Sequence, residues 1–161
     1  MEKIFGATER HDQLIRLGTE RAVLIYGYGV EDGQGYDYRQ TFSHIPTRDE
    51  VHSVLIDHIN ACVDEKILRG FVWNGINVWL SDENQRNFSE AQRVMMITNG
   101  QGLPITFKLG EDGSGNPVYH EFMTVEELTE FYLRAVSFIQ QTLGEGWYEK
   151  DHIDMTVFGY E

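Results

Sequence analysis

The sequence predicts an α+β domain in which antiparallel hairpins alternate with helices. Three observations carry this expectation. Apolar residues follow a period of two in some stretches and a helical period in others, and the two kinds alternate along the chain. Turns rich in Gly, Asn and Asp sit in the middle of the period-two stretches. Two Thr-x-x-Glu capping boxes, Thr47 with Glu50 and Thr124 with Glu127, introduce helical ones. The outcome is three ββα-like units, at about residues 22–69, 71–99 and 104–143, within a single domain over 1–161.

Composition sets the frame for these elements. At 161 residues the chain is long enough to bury a core without disulfides or metals. Its hydrophobic share, 41%, is that of an ordinary globular protein. A net charge of -13, from 26 acidic and 13 basic residues, repels phosphate backbones. That argues against a nucleic-acid partner and fits either solubility or a basic partner surface. The single cysteine, Cys62, cannot close an internal disulfide and falls in a helical apolar pattern, so it reads as a small buried hydrophobe in a reducing compartment. The N-terminus carries charges where a secretion signal needs an apolar core, and no apolar run approaches the roughly 20 residues that span a bilayer. Synthesis in the cytoplasm without membrane association is expected.

Taken in order, residues 7–18 read as a short helix with a weak face of Leu14, Ile15 and Leu17. RAVLIYGYGVEDGQGYDYRQTFSHI then reads as two strands around an acidic, glycine-rich turn. The helix after Thr47 places Val51, Val54, Leu55, Ile59 and Cys62 on one face, with His58 flanking the stripe and His52 at another angle. Gly70 is its natural stop.

Asn74-Gly75 between apolar runs signals a two-residue hairpin, because both loop positions must take positive φ. That pairs Trp73 with Ile76, Val72 with Asn77 and Phe71 with Val78. Alternation then puts Phe71, Trp73, Ile76, Val78 and Leu80 on a wholly apolar side, which marks Trp73 as core, and Trp79 on the mixed side. Ser81 caps a helix carrying Phe88, Ala91, Met95 and Met96, with acids in its first turn where the helix dipole favours them. The strands PITFKLGE and PVYHEF flank the turn DGSGN. A last long helix carries Leu128, Phe131, Tyr132, Ala135, Phe138, Ile139 and Leu143 and is expected to close at Gly144 and Gly146. The tail from Trp147 is read as a last strand or a docked extension.

The residues that could carry chemistry have plainer explanations. Among the 6 histidines, His52 and His58 are rotated away from a shared helix face, whereas helical metal pairs want spacings of three or four. His120 and Glu121 point to opposite sides of a strand. DGSGNP begins like a calcium loop, but Pro117 stands where glycine belongs and Met123 where the closing glutamate should be. The acid pairs Asp49–Glu50, Asp82–Glu83 and Glu126–Glu127 open helices, where capping explains them. No nucleophile elbow, phosphate loop or dinucleotide fingerprint occurs. No cofactor is therefore implied. Aromatics are the remaining signal: Tyr26, Tyr28, Tyr36 and Tyr38 alternate along the first hairpin, so each strand's pair is expected on one face. With Trp79 they make up the candidate interaction surface.

The hairpin WNG (Trp73, Asn74, Gly75), the helix start SDENQ (Ser81, Glu83, Asn84, Gln85), LPITFK, TVEEL (Thr124 to Leu128) and the closing GWYEKDHID (Trp147, Lys150, Asp151, Ile153) follow in a characteristic order. In that order and spacing the chain resembles a family of uncharacterised domains in small phage and prophage proteins, many of them tail-fibre-associated. The resemblance covers roughly residues 66–155 and leaves 1–65 outside. It implies a viral or prophage origin, synthesis in the host bacterial cytoplasm, and a place in or near the virion tail. It implies no reaction.

These readings converge on a non-enzymatic, tail-associated protein that works by protein–protein contact, as a virion component or a fibre assembly factor. Its partners are expected among other tail or virion proteins, and a second copy of the chain stays open as one. The alternative is a carbohydrate-binding module, with glycan stacked on exposed aromatics. A metal-dependent hydrolase ranks last, because it needs scattered histidines and acids to converge.

Overall fold

A computed structural model describes residues 1–161 and shows an α+β protein. Its strands are β1 (Glu2–Phe5), β2 (Gln13–Leu17), β3 (Arg21–Glu31), β4 (Gln34–Phe42), β5 (Phe71–Trp73), β6 (Ile76–Val78), β7 (Ile105–Glu111) and β8 (Pro117–Phe122). Its helices are α1 (Arg48–Arg69), α2 (Asp82–Thr98) and α3 (Val125–Asp151), followed by a short 3-10 turn at Met155–Phe158. The three hairpin-then-helix units are present in the expected order. The chain divides into two compact units, Met1–Asn60 with Glu149–Glu161, and Ala61–Tyr148.

In the first unit the antiparallel sheet runs β1-β4-β3-β2. The expected helix at residues 7–18 does not form. Its Leu14, Ile15 and Leu17 lie in β2, paired with Leu24, Val23 and Arg21 of β3. A weak local helical pattern is overridden because the edge of β3 offers a full ladder of backbone hydrogen bonds. One face of the sheet buries Ala22, Leu24, Tyr26 and Phe42 together with Val51, Leu55, His58 and Ile59 of α1 and with Met155 and Phe158. The docked C-terminal segment is held by Tyr160, whose hydroxyl donates to the Pro46 carbonyl at 2.5 Å. The buried stripe of α1 runs through His58 rather than Cys62, which is exposed. Cys62 follows Ile59, the last buried residue of the helix, so it is not the small core hydrophobe that its spacing suggested.

The second unit has its own core of Phe71, Trp73, Val78, Leu80, Phe88, Ala91, Met95, Leu109, Phe122, Leu128, Phe131 and Ala135. Burying each large side chain here contributes about 1.5–3 kcal/mol before its ordering is charged against it. The β5–β6 register is the one that the Asn-Gly turn dictates, with Asn74 at φ 49° and Gly75 at φ 78°. Trp73 lies edge-on to Phe131 at 5.1 Å between centroids, and its indole N–H donates to Glu130 at 2.8 Å. That bond satisfies the one polar atom of a fully buried ring. Ser81 caps α2 by accepting from the Asn84 N–H at 3.3 Å.

The last helix departs from expectation. It runs through Gly144 and Gly146 to Asp151 instead of closing there. Gly146 is buried against Val63 of α1, and a methyl group at that position would collide with the valine side chain. The glycine is thus a point of close helix approach, where the absence of Cβ matters more than its weak helix propensity. Lys66 and Glu145, 2.6 Å apart, clamp the same crossing.

Candidate interaction surface

The five aromatics singled out in the sequence have separate fates. Tyr26, only 5% exposed, is core. Its hydroxyl donates to Glu149 at 2.8 Å, and its ring meets His58 and Phe158. Burial, reinforced by the bond to Glu149, pushes the phenol far above its ordinary value, so it stays a neutral donor. The expectation that Tyr26 belongs to a surface is corrected on this ground. Its neighbour Gly27 donates its N–H to Asp12 at 2.8 Å, and Arg10 completes the group by pairing with Asp12 at 2.8 Å. That bond to Asp12 raises the guanidinium's pKa.

Tyr26 and Tyr28 also fail to share a face. Tyr26 pairs with Tyr38, but the next partners are Gly29 and Tyr36, so β3 carries one residue more than β4 between them. This is a β-bulge at Gly27, whose φ of 71° an L side chain resists. The extra residue reverses the alternation beyond it. Tyr28 therefore lies on the opposite side of the sheet from Tyr36 and Tyr38 and is 39% exposed.

Tyr36 and Tyr38 keep their shared face, edge to face at 5.5 Å, and both are half-buried. The Lys3 ammonium sits 4.1 Å from the Tyr36 ring centre and pairs with Glu31 at 3.0 Å, while Tyr38 packs on His58 at 4.2 Å. Neither offers the open ring face that stacking on a sugar requires. Trp79, in the second unit, is half-buried and also has structural ties. Its backbone N–H donates to the Leu109 carbonyl at 2.7 Å, its backbone carbonyl accepts from the Asn84 side-chain amide at 2.8 Å, and Lys108 lies 5.4 Å from its ring.

The surface that results is the other face of the four-stranded sheet. Register puts Ile15, Leu17, Val23, Ile25, Tyr28 and Val30 on it. Ile15, Leu17, Tyr28 and Val30 are exposed there, the last by 61%. Asp37 and Arg39 lie on the same face as a bidentate pair, at 2.7 and 3.0 Å. Asp37 is itself buried, so this is a fixed polar anchor amid apolar side chains. Sequence reasoning found Tyr28 but missed Ile15 and Leu17. Their signal was the alternation of Gln13, Ile15 and Leu17, which a helical reading of the segment obscures.

The histidines serve structure as well. His120 bonds Glu127 at 2.9 Å, and Glu127 accepts from the Met123 N–H at 3.1 Å. That backbone bond, then the histidine, holds the carboxyl below its ordinary value. His44 meets Glu50 at 2.9 Å in the same way at the start of α1, where the Thr47 N–H is the main influence lowering the acid. No group of three or more His, Cys, Asp or Glu side chains is arranged to hold a metal ion. Asp112 folds its carboxylate back onto the N–H groups of Ser114 and Asn116, as an ordinary turn does. No helix is long and apolar enough to cross a membrane.

Comparison with protein-family models, with curated proteins and with solved structures finds no match to the chain.

Proposed function

We propose that the chain works without catalysis, by protein–protein contact, as a tail-associated component or fibre assembly factor of a phage or prophage. The observation that carries the contact reading is the outer sheet face. Ile15, Leu17, Tyr28 and Val30 are exposed on it around the Asp37–Arg39 pair, and the helix α1 packs on the opposite side. An exposed apolar area with a fixed polar anchor is the composition of a contact surface. The tail assignment rests on the ordered resemblance of residues 66–155 alone. Glycan binding has less support, since Tyr26 is buried and Tyr36 lies under Lys3.

Quantitative mass spectrometry of purified particles tests the assignment. A fixed copy number relative to tail proteins fits a component. Abundance in infected cells with absence from particles fits an assembly factor, and absence from both the particles and any complex with tail proteins overturns it. Tyr28→Ser, which leaves the core intact, should lower the association of the chain with its partner.

A further inference from the structure

The second unit carries a groove between its helices. Two adjoining cavities, about 530 and 770 Å³, share Leu80, Gln85, Arg86 and Ile139. Their apolar lining includes Phe88, Tyr132, Val136 and Leu143, of which Val136 is exposed. The charged residues of the lining are Asp64, Asp82, Glu83 and Glu90 against a single cation, Arg86. Glu90 is neutralised by Arg93 at 2.6 Å, whereas Asp64, Asp82 and Glu83 take part in no ion pair. An apolar floor whose rim sets Asp64, Asp82 and Glu83 against one cation, Arg86, is complementary to a segment that is apolar on one side and basic on the other.

The backbone around the groove decides the conformation of that segment. The Leu80 N–H donates to Leu68 at 3.0 Å, and its carbonyl accepts from the Gln85 side chain at 2.6 Å. The Ser81 carbonyl accepts from the Gln85 N–H at 2.9 Å, and the rest of the lining is helical. No strand edge is offered, so an extended peptide would leave its own backbone groups unpaired on an apolar floor. A helix satisfies them internally. We infer that this groove docks a basic amphipathic helix of a partner protein. The site lies in Ala61–Tyr148, while the outer sheet face lies in the other unit, so variants of the two surfaces fail independently.

The test uses the full chain and a synthetic amphipathic peptide of about 18 residues, with leucines at helical spacing and lysines on the remaining face. Binding is followed by calorimetry and by amide chemical shifts. The expected result is saturable binding with shifts at Gln85, Ser89, Tyr132 and Ile139. Asp64→Asn with Glu83→Gln should weaken it about tenfold, and the exposed Val136→Ser about as much. Glu9→Gln with Glu20→Gln, an equal charge loss in the other unit, should leave it unchanged. Equal weakening by the two charge pairs would reduce the effect to bulk attraction and overturn the inference. So would shifts elsewhere, or equal binding of a glutamate-for-lysine peptide. Self-association that Val136→Ser abolishes would assign the groove to a second copy of the chain instead.

Discussion

In the hairpin β5–β6 a two-residue turn keeps strict pairing from Trp73 and Ile76 to Phe71 and Val78, whereas in β3–β4 pairing shifts between Tyr26 and Gly29. Both hairpins alternate apolar and aromatic residues, and both pass through residues of positive φ. In the shorter one that conformation is confined to the loop, so every side chain keeps the face that alternation assigns. In the longer one Gly27 takes it within the strand, and the side chains beyond change sides. One hairpin therefore puts its aromatic anchor, Trp73, in a core. The other divides its tyrosines between a packed face and an exposed one.

Several measurements would break or sharpen this contrast. The largest expected effect is at Trp73, which is fully buried and ringed by Phe122, Phe131 and His120. Trp73→Ala should destabilise by about 3–5 kcal/mol in urea unfolding followed by circular dichroism, with hydrogen exchange rising first within 61–148. Gly27→Ala should lose about 1–2 kcal/mol, because alanine resists the left-handed conformation of the bulge. Exchange should then rise along β3 and β4, and an unchanged protein would mean that the bulge can move along the strand. Thr124→Ala removes the hydroxyl that accepts from the Glu127 N–H at 3.1 Å and should lower stability by about 1 kcal/mol.

His58 supplies a pH dependence. Burial, then repulsion from the N-terminal ammonium, lowers its pKa, while Glu149 opposes the shift in part. Tyr26 and Tyr38 also pack their rings against it. The depressed value means that its contribution is complete above an unfolded pKa of about 6.5 and is lost as pH falls through the folded one. Urea midpoints should therefore drop from pH 7 to pH 5, and less so in His58→Gln. At the small end, Tyr28→Ser should change stability by no more than about 0.5 kcal/mol, since the side chain lies outside the core and is partly exposed. A larger loss would show the outer face to be part of the fold rather than a contact surface.

What could be read directly from the chain was local. The Asn74-Gly75 turn dictates its own register, and Ser81 and the two Thr-x-x-Glu boxes mark helix starts through bonds that span three residues. The burial of Phe71, Trp73, Val78 and Leu80 follows from that register and a period of two. Of the candidate surface, Tyr28 alone was legible as an exposed aromatic. Distant partners decided the rest. Residues 13–17 become a strand because β3 has an edge to fill, and Tyr26 is buried because α1 and the Met155–Phe158 turn cover its face. Gly146 stays within a helix because Val63 needs its missing Cβ. Turns, caps and alternation are fixed by energies between neighbours in the chain. Which face is covered, and where a helix can ignore a glycine, depends on side chains that only folding brings together.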